Sequence, residues 1–308
     1  MLLWVSVHIP DGFLATPVWL GLDAIALPAA GLVARRARRE WEDARAPMLG
    51  VMGAFVFAAQ MMNFPVGVGT SGHLVGGALL AITLGPAAAS VVMTAILAIQ
   101  AFVFQDGGIL ALGANVLNMA LIGVLAGYVP YRLWGAGRWR RAAVFAAAAV
   151  SVAASALMAV AELLVSGIAI PRPMLGISLA LFLVSALIEG AITVAVVEGI
   201  ERLSPRLIRK TAPGRSWAFA GLGAAAVALA SVGVLVASAS PDGLERLAEQ
   251  VGIAGRATSL FAAPLAEYEA RWLGASWAAK AGAGLAGLAL IAGACFAFSA
   301  VAARKRSA

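Results

Sequence analysis

Apolar residues fall in nine runs along this chain, near 17–34, 48–64, 74–85, 87–104, 109–129, 142–166, 175–200, 216–238 and 276–302, separated by short polar or basic stretches. A helix needs about 20 apolar residues to cross the roughly 30 Å hydrocarbon core of a bilayer, and most of these runs approach or exceed that length. A membrane barrel would show segments of about ten residues alternating apolar and polar. These runs are instead continuous and rich in Ala, Leu, Val and Gly, so helices are predicted. The third run is short and shares the hinge Gly85-Pro86 with the fourth. It is expected to be a partial or re-entrant helix, tolerable only where its irregular backbone is enclosed by protein.

Charge orders these runs. Basic residues collect in four places: Arg35 to Arg45 after the first run, Arg132 to Arg141 after the fifth, Arg202 to Arg215 after the seventh, and Arg304 to Arg306 in the tail. Together they hold 17 of the 22 Lys and Arg residues. Positive loops stay cytoplasmic, and all four share one side only if all nine runs cross. The predicted fold is therefore an all-α polytopic membrane protein with about nine transmembrane helices, its N-terminus outside and its C-terminus cytoplasmic. The charged, proline-bearing stretch 201–215 reads as a cytoplasmic linker. It separates a seven-helix membrane domain, 1–200, from a two-span hairpin, 216–308, whose outer loop opens with SPDGLERLAEQVG.

Composition removes other classes. The chain is 62% hydrophobic and 12% charged, with mean hydropathy +0.94, far from the quarter or so of charged residues usual in soluble domains. The net charge of +7 reflects topology rather than nucleic-acid binding, because no soluble basic domain carries it. One cysteine, Cys295, lies inside the last run and excludes an internal disulfide or a cysteine metal cluster. The leader MLLWVSV lacks the basic flank of a cleavable signal peptide, so the first span is expected to insert by its own hydrophobicity. No ATP-binding loop, zinc-protease helix, nucleophile elbow or dinucleotide fingerprint occurs, so any ATP hydrolysis falls to another subunit.

The chain has two histidines, His8 in HIPDGFL and His73 in GTSGHLVGG. Both lie in Gly-containing loops, and the topology brings both to the outer face with FQDGG and the 239–274 loop. Imidazole suits nickel, cobalt, copper and zinc. A free α-amine, the next backbone nitrogen and a second-position imidazole can chelate one ion, with another imidazole as fourth ligand, a set that favours Ni(II) or Cu(II). His8 is residue eight as numbered, and a chain that starts at Val7 would supply the amine. The competing reading makes both histidines simple capping or hydrogen-bonding loop residues.

Other polar residues read more plainly. Asp11 suits a turn or helix cap, with orientation of His8 as the alternative. Asn63, Ser71 and Gln60 are expected to satisfy backbone groups, Asn63 and Ser71 being also candidates to orient the ligands. Met61, Met62 and Met93 are read as packing rather than a copper site. Glu162 and Glu189 lie inside spans, where a carboxylate is costly and is paired or functional; a structural role is favoured over a cation or proton path.

HIPDGFL, NFPVGVGTSGHLVGGALLAITLGP and FQDGGILALGANVLNM, in this order over residues 8 to about 200, resemble the substrate-capture M component of the cobalt/nickel energy-coupling-factor ABC transporters. PDGLE, Pro241 to Glu245, resembles the small N component of the same systems, here fused. The resemblance implies a seven-helix body that binds Ni(II) or Co(II) as transported substrate, with no permanent cofactor and no enzyme activity. Its ligands would be the amine of Val7, the backbone nitrogen and imidazole of His8, and His73. It implies a transmembrane coupling subunit and ABC ATPases as partners in the cell membrane of a bacterium or archaeon. A proton-driven metal permease using Glu162 and Glu189, or a membrane metal sensor, are the rival functions.

Overall fold

A computed structural model describes residues 8–40, 46–67, 69–203, 217–238, 240–274 and 277–304. Val7 and residues 204–215 of the expected linker lie outside them. Six helices are long and apolar enough to cross a membrane: α1 Thr16–Arg39, α4 Pro86–Phe104, α5 Leu112–Trp134, α6 Arg140–Val165, α7 Arg172–Leu203 and, by its full bounds, α10 Trp277–Arg304. Two shorter apolar helices, α2 Ala46–Gln60 and α8 Trp217–Ser231, accompany them. The chain is thus a helical, multi-pass membrane protein. α1 shows the solvent it is built for, with Leu20, Ile25, Leu27 and Leu32 all exposed, a pattern suited to lipid and not to water. Exposed Trp134, Trp139, Trp272 and Trp277 cluster near helix ends, as expected where indole rings sit at a membrane interface.

The third apolar run contributes α3, Gly77–Leu84. At 1.5 Å per residue it is about 12 Å long, less than half a bilayer core, so it is the partial helix that its length predicted. Residues 70 to 84 are buried throughout, which satisfies the demand that irregular backbone be enclosed. Before it, β1 Phe64–Gly67 and β2 Thr70–Gly72 pair as an antiparallel ribbon, a short sheet that the apolar pattern did not reveal. Arg140 and Arg141 at the start of α6 pair with Glu201 and Glu198 at the end of α7, tying the basic ends of these two helices.

α8 and α10 form the C-terminal hairpin, joined by a connection holding the short helix α9, Gly243–Gln250. The hairpin packs on α2 through small residues. A Cβ added to Gly287 would lie 2.3 Å from the buried Phe57 ring, and one added to Gly53 would lie 3.0 Å from Ile291. Such close approach is how helices associate in lipid. Gly287→Ala is accordingly expected to lower stability by about 1–3 kcal/mol, the usual range for an overfilled core; thermal unfolding of the detergent-solubilised protein measures it.

Asp242 and Glu245 explain PDGLE locally. The Asp242 carboxylate accepts from the Leu244 and Glu245 amides at 2.9 and 2.8 Å, and Glu245 reaches back to the Asp242 amide at 3.3 Å, a reciprocal cap that starts α9. Leu244, Leu247 and Ala248 of α9 then join Ile9, Phe13, Val160, Leu163 and Phe182 in one apolar cluster, so the connection rests on α6, α7 and the HIPDGFL segment, at the end where His8 lies.

Candidate metal-binding site

HIPDGFL is held by the stretch that follows α4. The Asp11 carboxylate accepts three backbone amides leading into α5: Leu110 at 2.8 Å, Ile109 at 3.0 Å and Ala111 at 3.2 Å. A negative group at a helix start is favoured by the aligned peptide dipoles. Asn115 clamps Ile9 from both sides, accepting its N–H at 2.7 Å and donating to its carbonyl at 3.0 Å. The backbone on the C-terminal side of His8 is thereby fixed to FQDGGILALGAN.

The GTSGH loop is held from another direction. Glu189 of α7 accepts the Val75 amide at 2.7 Å and the Gly76 amide at 2.8 Å, while Gln60 donates to the Val75 carbonyl at 2.8 Å. Gly76 sits at φ 77°, a left-handed conformation that suits glycine, and a Cβ there would strike Val56 at 2.5 Å. His73 is thus delivered by a loop whose next two amides are tied down.

These two anchored loops bring His8 and His73 together with ring centroids 5.8 Å apart and planes tilted by 34°. Two imidazoles that each meet a metal at about 2 Å have centroids roughly 4.5 Å apart at right angles about the ion and roughly 6.3 Å apart when opposite, so the observed separation lies within what one shared ion allows. Both rings are buried, 1% and 3% exposed. Burial, reinforced by the neighbouring His8, pushes His73 down to about 4, which keeps it a neutral base at physiological pH. Its Nδ1 lies 2.9 Å from the Leu74 carbonyl, so that nitrogen carries the proton and Nε2 the lone pair.

His8 Nδ1 lies 2.9 Å from Asp106 Oδ1, and the Tyr268 hydroxyl donates to Asp106 Oδ2 at 2.5 Å. Nδ1 is also the ring nitrogen able to close a chelate with the residue's own amide nitrogen, so chelation would exchange the Asp106 contact for the ion. A cavity of about 450 Å³, lined among others by Asp11, Asp106 and Tyr268, lies beside this group, between the HIPDGFL and FQDGG stretches and the 257–271 connection. Among the described residues, no group of three or more His, Cys, Asp or Glu side chains could hold a metal. Two imidazoles therefore need ligands of another kind.

Residues 8–207 match the family model described as the cobalt uptake substrate-specific transmembrane region, CbiM. The chain belongs to this family. A provisionally named metal transport protein of Haloquadratum walsbyi is 50% identical over 132 residues, which is 42% of this chain and 59% of that relative's own length. A fused nickel transport protein of Rhodobacter capsulatus is 31% identical over 316 residues, covering 85% of this chain and 88% of the relative. A crystal structure of a truncated transition metal transporter superposes with a TM-score of 0.56 at 32% identity, covering 63% of this chain and 98% of that one. These CbiM relatives are transporter components rather than enzymes.

Within this CbiM-type chain the residues singled out in the sequence separate clearly. His8 and His73 meet. Gln60 satisfies backbone, and Met93 is fully buried packing that also accepts from Gln60 at 3.6 Å. The residue on His8 Nδ1 is Asp106, not Asp11, whose carboxylate is taken up by three amides. Ser71 donates to the Ser240 carbonyl at 2.7 Å, so its hydroxyl holds the C-terminal segment beside β2 rather than a ring, and the Asn63 backbone carbonyl accepts the Ser238 amide at 2.8 Å. Glu162 accepts from Asn118 at 2.8 Å. Asp106, Asn115 and Tyr268 escaped sequence reading; the one available signal was an acid between glycines and an apolar helix in FQDGG.

Proposed function

We propose that this chain is the metal-capturing membrane subunit of an ATP-driven importer of Ni(II) or Co(II), with His8 and His73 as ligands. The observation that carries the reading is the pair of buried imidazoles 5.8 Å apart, in a chain whose match to the CbiM family begins at residue 8. The amine of Val7 and the backbone nitrogen of His8 complete the set if the mature chain starts at Val7, and a four-nitrogen square-planar site would favour nickel. The histidine end faces outward from the cell membrane and the basic loops face the cytoplasm. Residues 1–200 form the capture domain, 201–215 the linker and 216–308 the fused hairpin that helps load the site. A transmembrane coupling subunit and ABC ATPases reorient the body and release the ion inward.

The test is nickel and cobalt uptake by proteoliposomes. Uptake should require the coupling and ATPase subunits together with ATP; uptake by this chain alone under a proton gradient would overturn the reading in favour of a permease. Intact mass of the natively expressed protein checks the ligand set separately, since retention of residues 1–6 would remove the Val7 amine.

A further inference from the structure

We propose that the turn joining α5 to α6 is a binding site for one anionic phospholipid, its phosphate held by Arg132 and Arg138 and its acyl chains laid along the outer face of α5. α5 runs 23 residues, about 34 Å, from the anchors of HIPDGFL to this turn. The site therefore stands at the opposite end of the body from the histidines and is independent of metal ligation.

The charged residues at this end are unevenly paired. Arg140 is taken: its guanidinium donates to the Gly135 carbonyl at 2.9 Å and the Tyr131 hydroxyl at 3.0 Å, and it pairs with Glu201. Arg141 pairs with Glu198, which also has Arg202 at 3.8 Å. Both glutamates are thereby engaged, while Arg132 and Arg138 are exposed. Among the described residues, neither of their guanidinium groups has an ion pair or a hydrogen bond; Arg138 lies over the Trp139 ring, 5.2 Å from its centroid. Stacking uses the face of a guanidinium and leaves its in-plane N–H donors open. The chain has no acidic residue between Asp106 and Glu162, so the turn holds no local counter-charge of its own.

The neighbours of these arginines decide which anion fits. Leu125, Val129 and Leu133 are each more than half exposed and, spaced by four, share one face of α5 that ends at Arg132. Such a strip suits acyl chains and not water. Trp134 and Trp139 are also more than half exposed and flank the turn, as indoles do at headgroup level. The two arginines thus stand at the depth of lipid phosphates, at the end of an apolar face that the same lipid's tails can cover. The planar fork of a guanidinium matches two phosphate oxygens at once. A soluble anion would answer the arginines and leave the strip bare, and a zwitterionic lipid would cover the strip but bring a cation of its own. An anionic phospholipid satisfies both. Held there, it fixes the depth of the turn, and the Arg140 and Arg141 pairs carry that anchor from α6 to α7.

The experiment is native mass spectrometry of the full-length chain, titrated with phosphatidylglycerol or with phosphatidylcholine of identical acyl chains. One basic residue near an anionic lipid contributes about fivefold in affinity, so the wild type should hold one phosphatidylglycerol roughly 25-fold more tightly than phosphatidylcholine. Arg132→Gln and Arg138→Gln should each lose about fivefold of that preference, and the double variant should bind the two lipids alike. Its thermal unfolding in phosphatidylcholine should match wild type, because neither side chain is buried or paired. Arg35→Gln combined with Arg39→Gln removes the same charge from the end of α1 and should leave the preference intact. Equal binding of the two lipids by the wild type would overturn the proposal. An equal loss in the α1 variant would overturn it too, marking general attraction to a basic face, as would displacement of the lipid by inorganic phosphate, which would mark a site for soluble anions.

Discussion

Nickel titrated into the His73→Ala protein should find no high-affinity site. The imidazole is one of the two that the fold brings together, and no cluster of three or more His, Cys, Asp or Glu side chains among the described residues can replace it. A carboxylate cannot easily stand in either, since nickel and cobalt sites suit imidazole nitrogen and the acids tied to these loops, Asp11, Asp106 and Glu189, already bind amides, His8 and Tyr268. The loss should exceed the roughly 10- to 100-fold typical of removing a group that merely orients a ligand. Calorimetric titration decides it, and affinity within a few-fold of wild type would refute the assignment. His73 Nδ1 donates to the adjacent Leu74 carbonyl, and its loss leaves the loop's anchors on Glu189 and Gln60 in place, so thermal stability without metal should fall less than in a variant that cuts those anchors.

Glu189→Ala should have the opposite signature, with stability falling first and binding falling because of it. Each Glu189 oxygen accepts one buried amide, from Val75 and Gly76, and the residue is 1% exposed. Leaving a buried donor unsatisfied costs about 1–3 kcal/mol, so two such donors cost about 2–6 kcal/mol. The amides belong to the turn just past His73, so the ligand loop loses its anchor along with the fold. Thermal unfolding of metal-free Glu189→Ala should show a larger drop than that of His73→Ala. A Glu189→Ala protein that unfolds like wild type but fails to transport would favour a conduction role for this carboxylate.

Much of this protein was legible from residue order because lipid is a demanding solvent. Continuous apolar runs have one stable backbone solution, the helix, so its helical, membrane-spanning character follows from composition and run length. The Gly85-Pro86 hinge marked α3 as partial, and the scarcity of histidine made His8 and His73 conspicuous.

Tertiary structure decided what residue order could not express. Asp106 meets His8 from 98 positions away and Tyr268 meets Asp106 across 162, separations with no periodicity for a reader to detect. Asp11 was read as a turn or cap residue, and its carboxylate does accept backbone amides, but those of the distant approach to α5, which nothing in its own neighbourhood could indicate. For Glu189 a structural role was the favoured reading because a lone acid in a span is expensive unless paired, and only the fold revealed that its partners are the Val75 and Gly76 amides. The sequence by itself therefore determined the solvent, the helices and the two candidate ligands, all consequences of local chemistry. Which groups orient those ligands was decided by packing, because a buried hydrogen bond depends on which atoms the fold brings within 3 Å or so and leaves no trace in spacing along the chain.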